Sequence, residues 1–101
     1  MSSAGLSWSI APQPPRVGPA TLSLSLTDAA SRPIVGARWQ IEGQMTHPGM
    51  RPVVLNVAAV VDGSYAGQFS FTMAGDWVLV VRADWADGQW LERSLPLRVE
   101  P

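Results

Sequence analysis

The chain has no cysteine, no lysine, only one histidine and no long uninterrupted apolar run. Without cysteine there is no disulfide, no thiolate metal site, no iron–sulfur ligation and no cysteine nucleophile. The single histidine, His47, gives any imidazole chemistry one location. No stretch approaches the ~18 consecutive apolar residues of a membrane-spanning helix. Charge is sparse and balanced, at 15% of residues with a net of −1, which excludes the basic footprint of a nucleic-acid surface. At 47% hydrophobic the chain is too apolar for a disordered tail. The opening Met1-Ser2-Ser3-Ala4-Gly5 carries neither the basic nor the apolar region of a signal peptide. The expectation is a cytoplasmic protein, or an exported or anchored one whose precursor was cut before this point.

What the 101 residues do contain is alternation, enough for one compact core. Residues 1–19 are a Pro-rich segment in which Leu6, Trp8 and Ile10 alternate as a short edge strand, and Pro12, Pro14, Pro15 and Pro19 forbid helix. Residues 20–101 read as the main domain. Leu22, Leu24 and Leu26 face one way with Ser23 and Ser25 opposite. Residues 34–42 put Val35, Ala37, Trp39 and Ile41 inward. Residues 43–52 form a loop, and 53–61 are nearly all apolar, with Asn56 interrupting. Asp62-Gly63 has the composition of a hairpin turn. Tyr65, Phe69 and Phe71 share a face, as do Trp77, Leu79, Val81 and Ala83. After Asp87-Gly88, a last strand carries Leu91, Leu95, Leu97 and Val99, and Pro96 marks it as an edge. No segment holds a 3.6-residue period. Six or seven strands joined by turn signals predict an all-β antiparallel sandwich, with a closed barrel as the alternative.

Catalytic constellations are missing. A serine triad would have to use His47, and no nucleophile elbow lies near it. No carboxylate pair is close in sequence, and Gly63-Ser64-Tyr65-Ala66-Gly67 lacks the lysine and following helix of a phosphate loop. The expectation is a protein without enzymatic activity.

The exception is Gln44-Met45-Thr46-His47-Pro48-Gly49-Met50-Arg51-Pro52, where two of four methionines flank the only histidine. Thioether sulfur is a soft donor that favours Cu(I), and neutral imidazole also binds copper. In an extended segment Met45 and His47 point the same way. A turn at Pro48-Gly49 brings Met50 back toward them, so Met45, His47 and Met50 form a three-donor set. Met73 is a candidate fourth donor, and its parity with Phe69 and Phe71 puts it on the inward face of its strand. The plainer account is that methionines fill irregular gaps and the loop folds back over the core. Among the tryptophans, Trp39 and Trp77 have core parity. Trp85 and Trp90 flank a turn as a cross-strand pair, which as an exposed coplanar pair would suit a glycan.

The order of these features resembles the FixH/YtkA-like family. It runs from a Pro-rich entry with Val17-Gly18 through Leu-x-Leu-x-Leu-x-Asp and Arg32-Pro33-Ile34-Val35-Gly36-Ala37. The Met45–Met50 loop, Gly63-Ser64-Tyr65 and Phe71-x-Met73-x-Gly75-x-Trp77 follow. The resemblance covers about residues 12–85. It implies an immunoglobulin-like β-sandwich of about seven strands, periplasmic or otherwise extracytoplasmic, behind a signal peptide or one membrane anchor. It also implies a copper-handling role beside a membrane partner, in respiratory oxidase assembly or next to a cation transporter. The family's methionine and histidine positions fall on Met45, His47, Met50 and Met73. Protonation of His47 would weaken such a site in mildly acidic solution. The competing expectation is a metal-free interaction module, with the loop as an adaptable apolar contact on a membrane complex.

Overall fold

The computed structural model describes residues 4–45 and 52–101. Eight strands are assigned: β1 (Gly5–Ala11), β2 (Gly18–Thr27), β3 (Arg38–Met45), β4 (Val53–Leu55), β5 (Val57–Val61), β6 (Ser64–Phe71), β7 (Gly75–Trp85) and β8 (Gln89–Val99). They form two antiparallel four-stranded sheets, ordered β1-β2-β6-β5 and β4-β3-β7-β8. The sandwich is as expected, and two separate sheets replace the closed-barrel alternative.

Alternation produces the core. Leu22, Leu24 and Leu26 of β2 are buried opposite Ile41, Leu79, Val81 and Ala83 of the second sheet, while Ser23 and Ser25 face away. A second cluster at one end joins Ile10, Ala20, Phe71, Trp77 and Val99. The seventeen buried apolar residues include no buried polar or charged partner among the described residues. At roughly 1.5–3 kcal/mol for each large side chain fully buried, this layer is the main favourable contribution to folding.

The structure corrects three details. The apolar stretch 53–61 is not one strand. β4 pairs with β3 in one sheet, the chain crosses at Asn56, and β5 pairs with β6 in the other. An uninterrupted apolar run cannot reveal such a crossing, because each half packs with its own sheet. Val35 is 62% exposed rather than inward, because residues 34–37 cross between the sheets before β3 begins. Trp85 and Trp90 do not form a cross-strand pair. Register places Trp90 opposite Asp84 and Trp85 opposite Gln89, so the two rings lie on opposite faces. Trp85 packs against the core, and the exposed Trp90 ring lies under the Arg82 guanidinium at 4.5 Å. The glycan reading loses the coplanar pair that it requires.

The passage from β2 to β3 is held from below. The Tyr65 hydroxyl on β6 donates to the Ile34 carbonyl at 2.7 Å and accepts from the Ala37 amide at 3.2 Å. Its ring meets Trp39 with centroids 5.0 Å apart. Gly63, at φ +77°, lies directly beneath, and a Cβ there would come within 2.5 Å of Pro33 Cβ and 2.9 Å of its Cα. At the start of the crossing, Asp28 accepts from the amides of Ala30 and Arg32 at 2.9 and 3.0 Å and pairs with the Arg32 guanidinium.

Tyr65→Phe is expected to lower stability by about 1–3 kcal/mol, because the buried Ile34 carbonyl loses its donor. Urea unfolding measures this. A second expectation concerns acid. The Arg32 amide, helped by the Ala30 amide and the Arg32 charge, holds the Asp28 carboxyl below its ordinary 3.8. A depressed folded value stabilises the fold above the unfolded pKa, and that contribution is lost as pH falls through the folded one. Asp28→Ala should therefore melt below the wild type at neutral pH, and the gap should close as pH falls below 3.8 and through the lowered value.

Candidate functional site

The motif Phe71-x-Met73-x-Gly75-x-Trp77 builds a turn at one end of the sandwich. β6 ends at Phe71 and β7 starts at Gly75, so residues 72–74 connect the two sheets. Both flanking aromatics are buried, with Phe71 and Trp77 edge to face at 5.2 Å and Phe69 against Phe71 at 4.8 Å. The Trp77 indole N–H donates to the Met73 carbonyl at 2.9 Å. A tryptophan that is 1% exposed thus fixes the backbone of the turn from inside the core.

Met73 does not continue the inward face. Its side chain is 42% exposed, because β6 ends two residues earlier and the turn releases the alternation. The thioether is therefore carried on a backbone held from below while its side chain faces solvent.

Met45 reaches the same place from another strand. It is the last residue of β3, opposite Trp77 on β7. It is partly buried against the cluster of Phe71 and Trp77. Its terminal methyl lies 3.0 Å from where a Cβ on Gly75 would be, and Gly75 has φ +133°. Glycine is required there twice, by the backbone conformation and by the methionine seated on it. Met45 therefore touches the residue two positions from Met73. Strand β3 extends three residues into the loop that sequence places at 43–52, and this carries Met45 to the turn.

Of the four candidate ligands, the structure brings the elements carrying Met45 and Met73 together. His47 and Met50 lie outside the described residues. Among the described residues there is no group of three or more His, Asp or Glu side chains able to hold a metal ion. The candidate ligands described at this end, Met45 and Met73, carry thioethers, which match soft cations, and the nearby Asp76 carboxylate is paired with Arg98. Sequence reasoning missed two supporting residues, Trp77 as the anchor of the turn and Gly75 as the seat of Met45. The four-residue spacing of Met73 and Trp77 carried the signal, but only the strand ends make it legible.

The rest of the surface divides by charge. Strands β1, β2, β5 and β6 contain no charged residue. The opposite sheet carries ion pairs on its outer side, Arg38 with Asp84 at 3.1 Å, Arg98 with Asp76 at 3.0 Å and Arg82 with Glu92 at 3.8 Å. All are exposed, so each contributes little to stability.

The model of the YtkA-like family matches residues 4–82. The chain belongs to the YtkA-like family. No curated protein matches this YtkA-like chain at a significant level. Among solved structures, it is similar to a DUF4426 family protein from Pseudomonas aeruginosa PAO1, with TM-score 0.75 and 8% identity over 100% of this chain and 94% of the other. It is also similar to part of a DUF4785 family protein from Legionella pneumophila subsp. pneumophila str. Philadelphia 1. That match has TM-score 0.67 and 13% identity, covering 99% of this chain and 29% of the other. At these identities the likeness concerns the fold, and the YtkA-like sandwich is shared by chains of otherwise different sequence.

If Trp77 anchors the turn, Trp77→Phe should keep the fold and lose about 1–3 kcal/mol, from the missing donor and the smaller ring. Chemical denaturation reads the loss. Hydrogen exchange should show faster opening confined to residues 72–76.

Proposed function

We propose that this YtkA-like domain is an extracytoplasmic carrier of Cu(I), which it holds through Met45, His47, Met50 and Met73 for delivery to a membrane partner. The observation that carries this reading is the seating of the Met45 methyl on Gly75, two residues from the exposed Met73. One methionine at the end of β3 and one on the turn before β7 are thus carried to the same rim of the sandwich. Soft donors of this kind select Cu(I), and in a chain without cysteine the soft donors available are thioether and imidazole. Met45 leads directly in sequence into the stretch that holds His47 and Met50, and the reading takes those two as the remaining donors. The sandwich supplies the rigid support. Trp77 holds the Met73 turn, and strand pairing holds Met45, which lowers the ordering cost of binding.

A carrier must also release its cargo. Exposed thioethers without a thiolate suit exchange with a partner, and the family resemblance suggests a membrane protein of oxidase assembly or cation transport as that partner. The metal-free alternative draws on the same geometry, because Met45 also packs on Phe71 and Trp77 as a gap-filling side chain would.

Competition for Cu(I) against a chromophoric chelator separates the two. The wild type should withdraw one equivalent of copper. Met45→Ala/Met50→Ala should bind at least about tenfold more weakly, a loss of ~1.4 kcal/mol or more, and Met73→Ala should weaken binding on its own. Equal and negligible competition by the wild type and the double variant would reject the copper reading.

A further inference from the structure

Met73 and Met45 share one end of the sandwich but not one environment. Met73 is 42% exposed on the turn between β6 and β7, and its carbonyl accepts the Trp77 indole N–H at 2.9 Å. The backbone at Met73 is thus tied down, and the turn cannot carry the thioether inward without breaking that bond. Met45 is partly buried against the cluster of Ile10, Ala20, Phe71, Trp77 and Val99, with its terminal methyl on Gly75. These neighbours are apolar. The one side-chain donor among them, the Trp77 N–H, is committed to Met73.

A thioether can take up one oxygen to become a sulfoxide, a two-electron oxidation. The product carries a polar S–O group, which needs water or a donor and is costly in an apolar cluster. At Met73 solvent supplies both access for an oxidant and hydration for the product. At Met45 the described neighbours restrict access and offer no free donor.

We infer that Met73 is the oxidation site of this rim, converted to the sulfoxide by a peroxide ahead of Met45 and without loss of the fold. A sulfur lone pair takes one peroxide oxygen as the O–O bond breaks, and the other oxygen leaves as water. The sulfur is oxidised by two electrons and the peroxide is reduced by two. A thiol-dependent methionine sulfoxide reductase reverses the step. The consequence for metal rests on the Cu(I) reading above. The sulfoxide presents a hard oxygen in place of a soft sulfur, so oxidation withdraws Met73 from copper while Trp77 still holds the turn.

Limited treatment with hydrogen peroxide, with a metal chelator present, tests the site by peptide mass mapping. Met73 should gain its oxygen at least about tenfold faster than Met45, following exposure. The melting temperature should stay constant while Met73 sulfoxide accumulates. Oxidation of Met45 at an equal or greater rate overturns the inference. So does a fall in melting temperature that Met73→Leu, treated alike, does not show. Competition for Cu(I) reads the consequence. The treated wild type should bind at least about tenfold more weakly than the untreated protein and recover after the reductase. Met73→Leu, weaker from the start, should lose little more on treatment, and an equal loss in that variant overturns the role of Met73 in release. Absence of Cu(I) binding by the untreated protein rejects the copper reading and the release with it, while the order of oxidation still decides the site.

Discussion

One hydroxyl group joins the two sheets where the chain first passes between them. Tyr65, the second residue of β6, is buried, and its hydroxyl both donates to Ile34 and accepts from Ala37. Residues 34–37 lie outside the strands they connect, although the Ile34 amide still reaches back to the Leu26 carbonyl at 3.0 Å. Tyr65 supplies a donor to the Ile34 carbonyl and an acceptor to the Ala37 amide, and so sets the height at which the crossing lies. Trp39 then packs on the Tyr65 ring, and β3 starts from a fixed point. Gly63 is the complement of this arrangement, because Pro33 occupies the space that any side chain there would need. The direction of β3, and with it the position of Met45 at its far end, follows from this contact.

The strands were legible because burial on one face imposes a period of two, and Leu22, Leu24, Leu26, Leu79 and Val81 obey it. The edge character of β8 was legible from Pro96, and the β5–β6 and β7–β8 turns from Asp62-Gly63 and Asp87-Gly88. Where the chain leaves one sheet for the other, periodicity carries no information. Val35 has the parity of a core residue and lies on a crossing, and Asn56 marks a change of sheet within one apolar run. Met73 failed for the same reason, since parity extended past the last paired residue predicts the wrong side. At the rim, the sequence singled out the candidate methionines but not their supports. That Met45 and Met73 belong to one end depends on the pairing of Met45 with Trp77, a relation between residues 32 positions apart.

The two faces of the sandwich have different chemistry. Charges concentrated on the β4-β3-β7-β8 sheet are arranged in cross-strand pairs, which neutralise that face locally and keep it hydrated. The other sheet is kept soluble by serine, threonine and glutamine alone. A fold that is nearly neutral overall is thus strongly asymmetric in hydration. The methionine rim lies at an end of the sandwich, where β3, the 72–74 turn and the start of β7 meet.

The order in which strands are dealt to the sheets has a consequence for how the molecule is made. Consecutive pairs alternate: β1 and β2 to one sheet, β3 and β4 to the other, β5 and β6 back to the first, β7 and β8 to the second. Each sheet is joined across its middle by a single long-range pairing, β2 with β6 and β3 with β7. During synthesis from the N-terminus the first sheet closes when β6 emerges, while the β3–β4 pair must wait for β7. Until then the layer opposite Leu22, Leu24 and Leu26 lacks Leu79, Val81, Leu91 and Leu95. The core is thus completed only by β7 and β8, the last strands in the chain to pair.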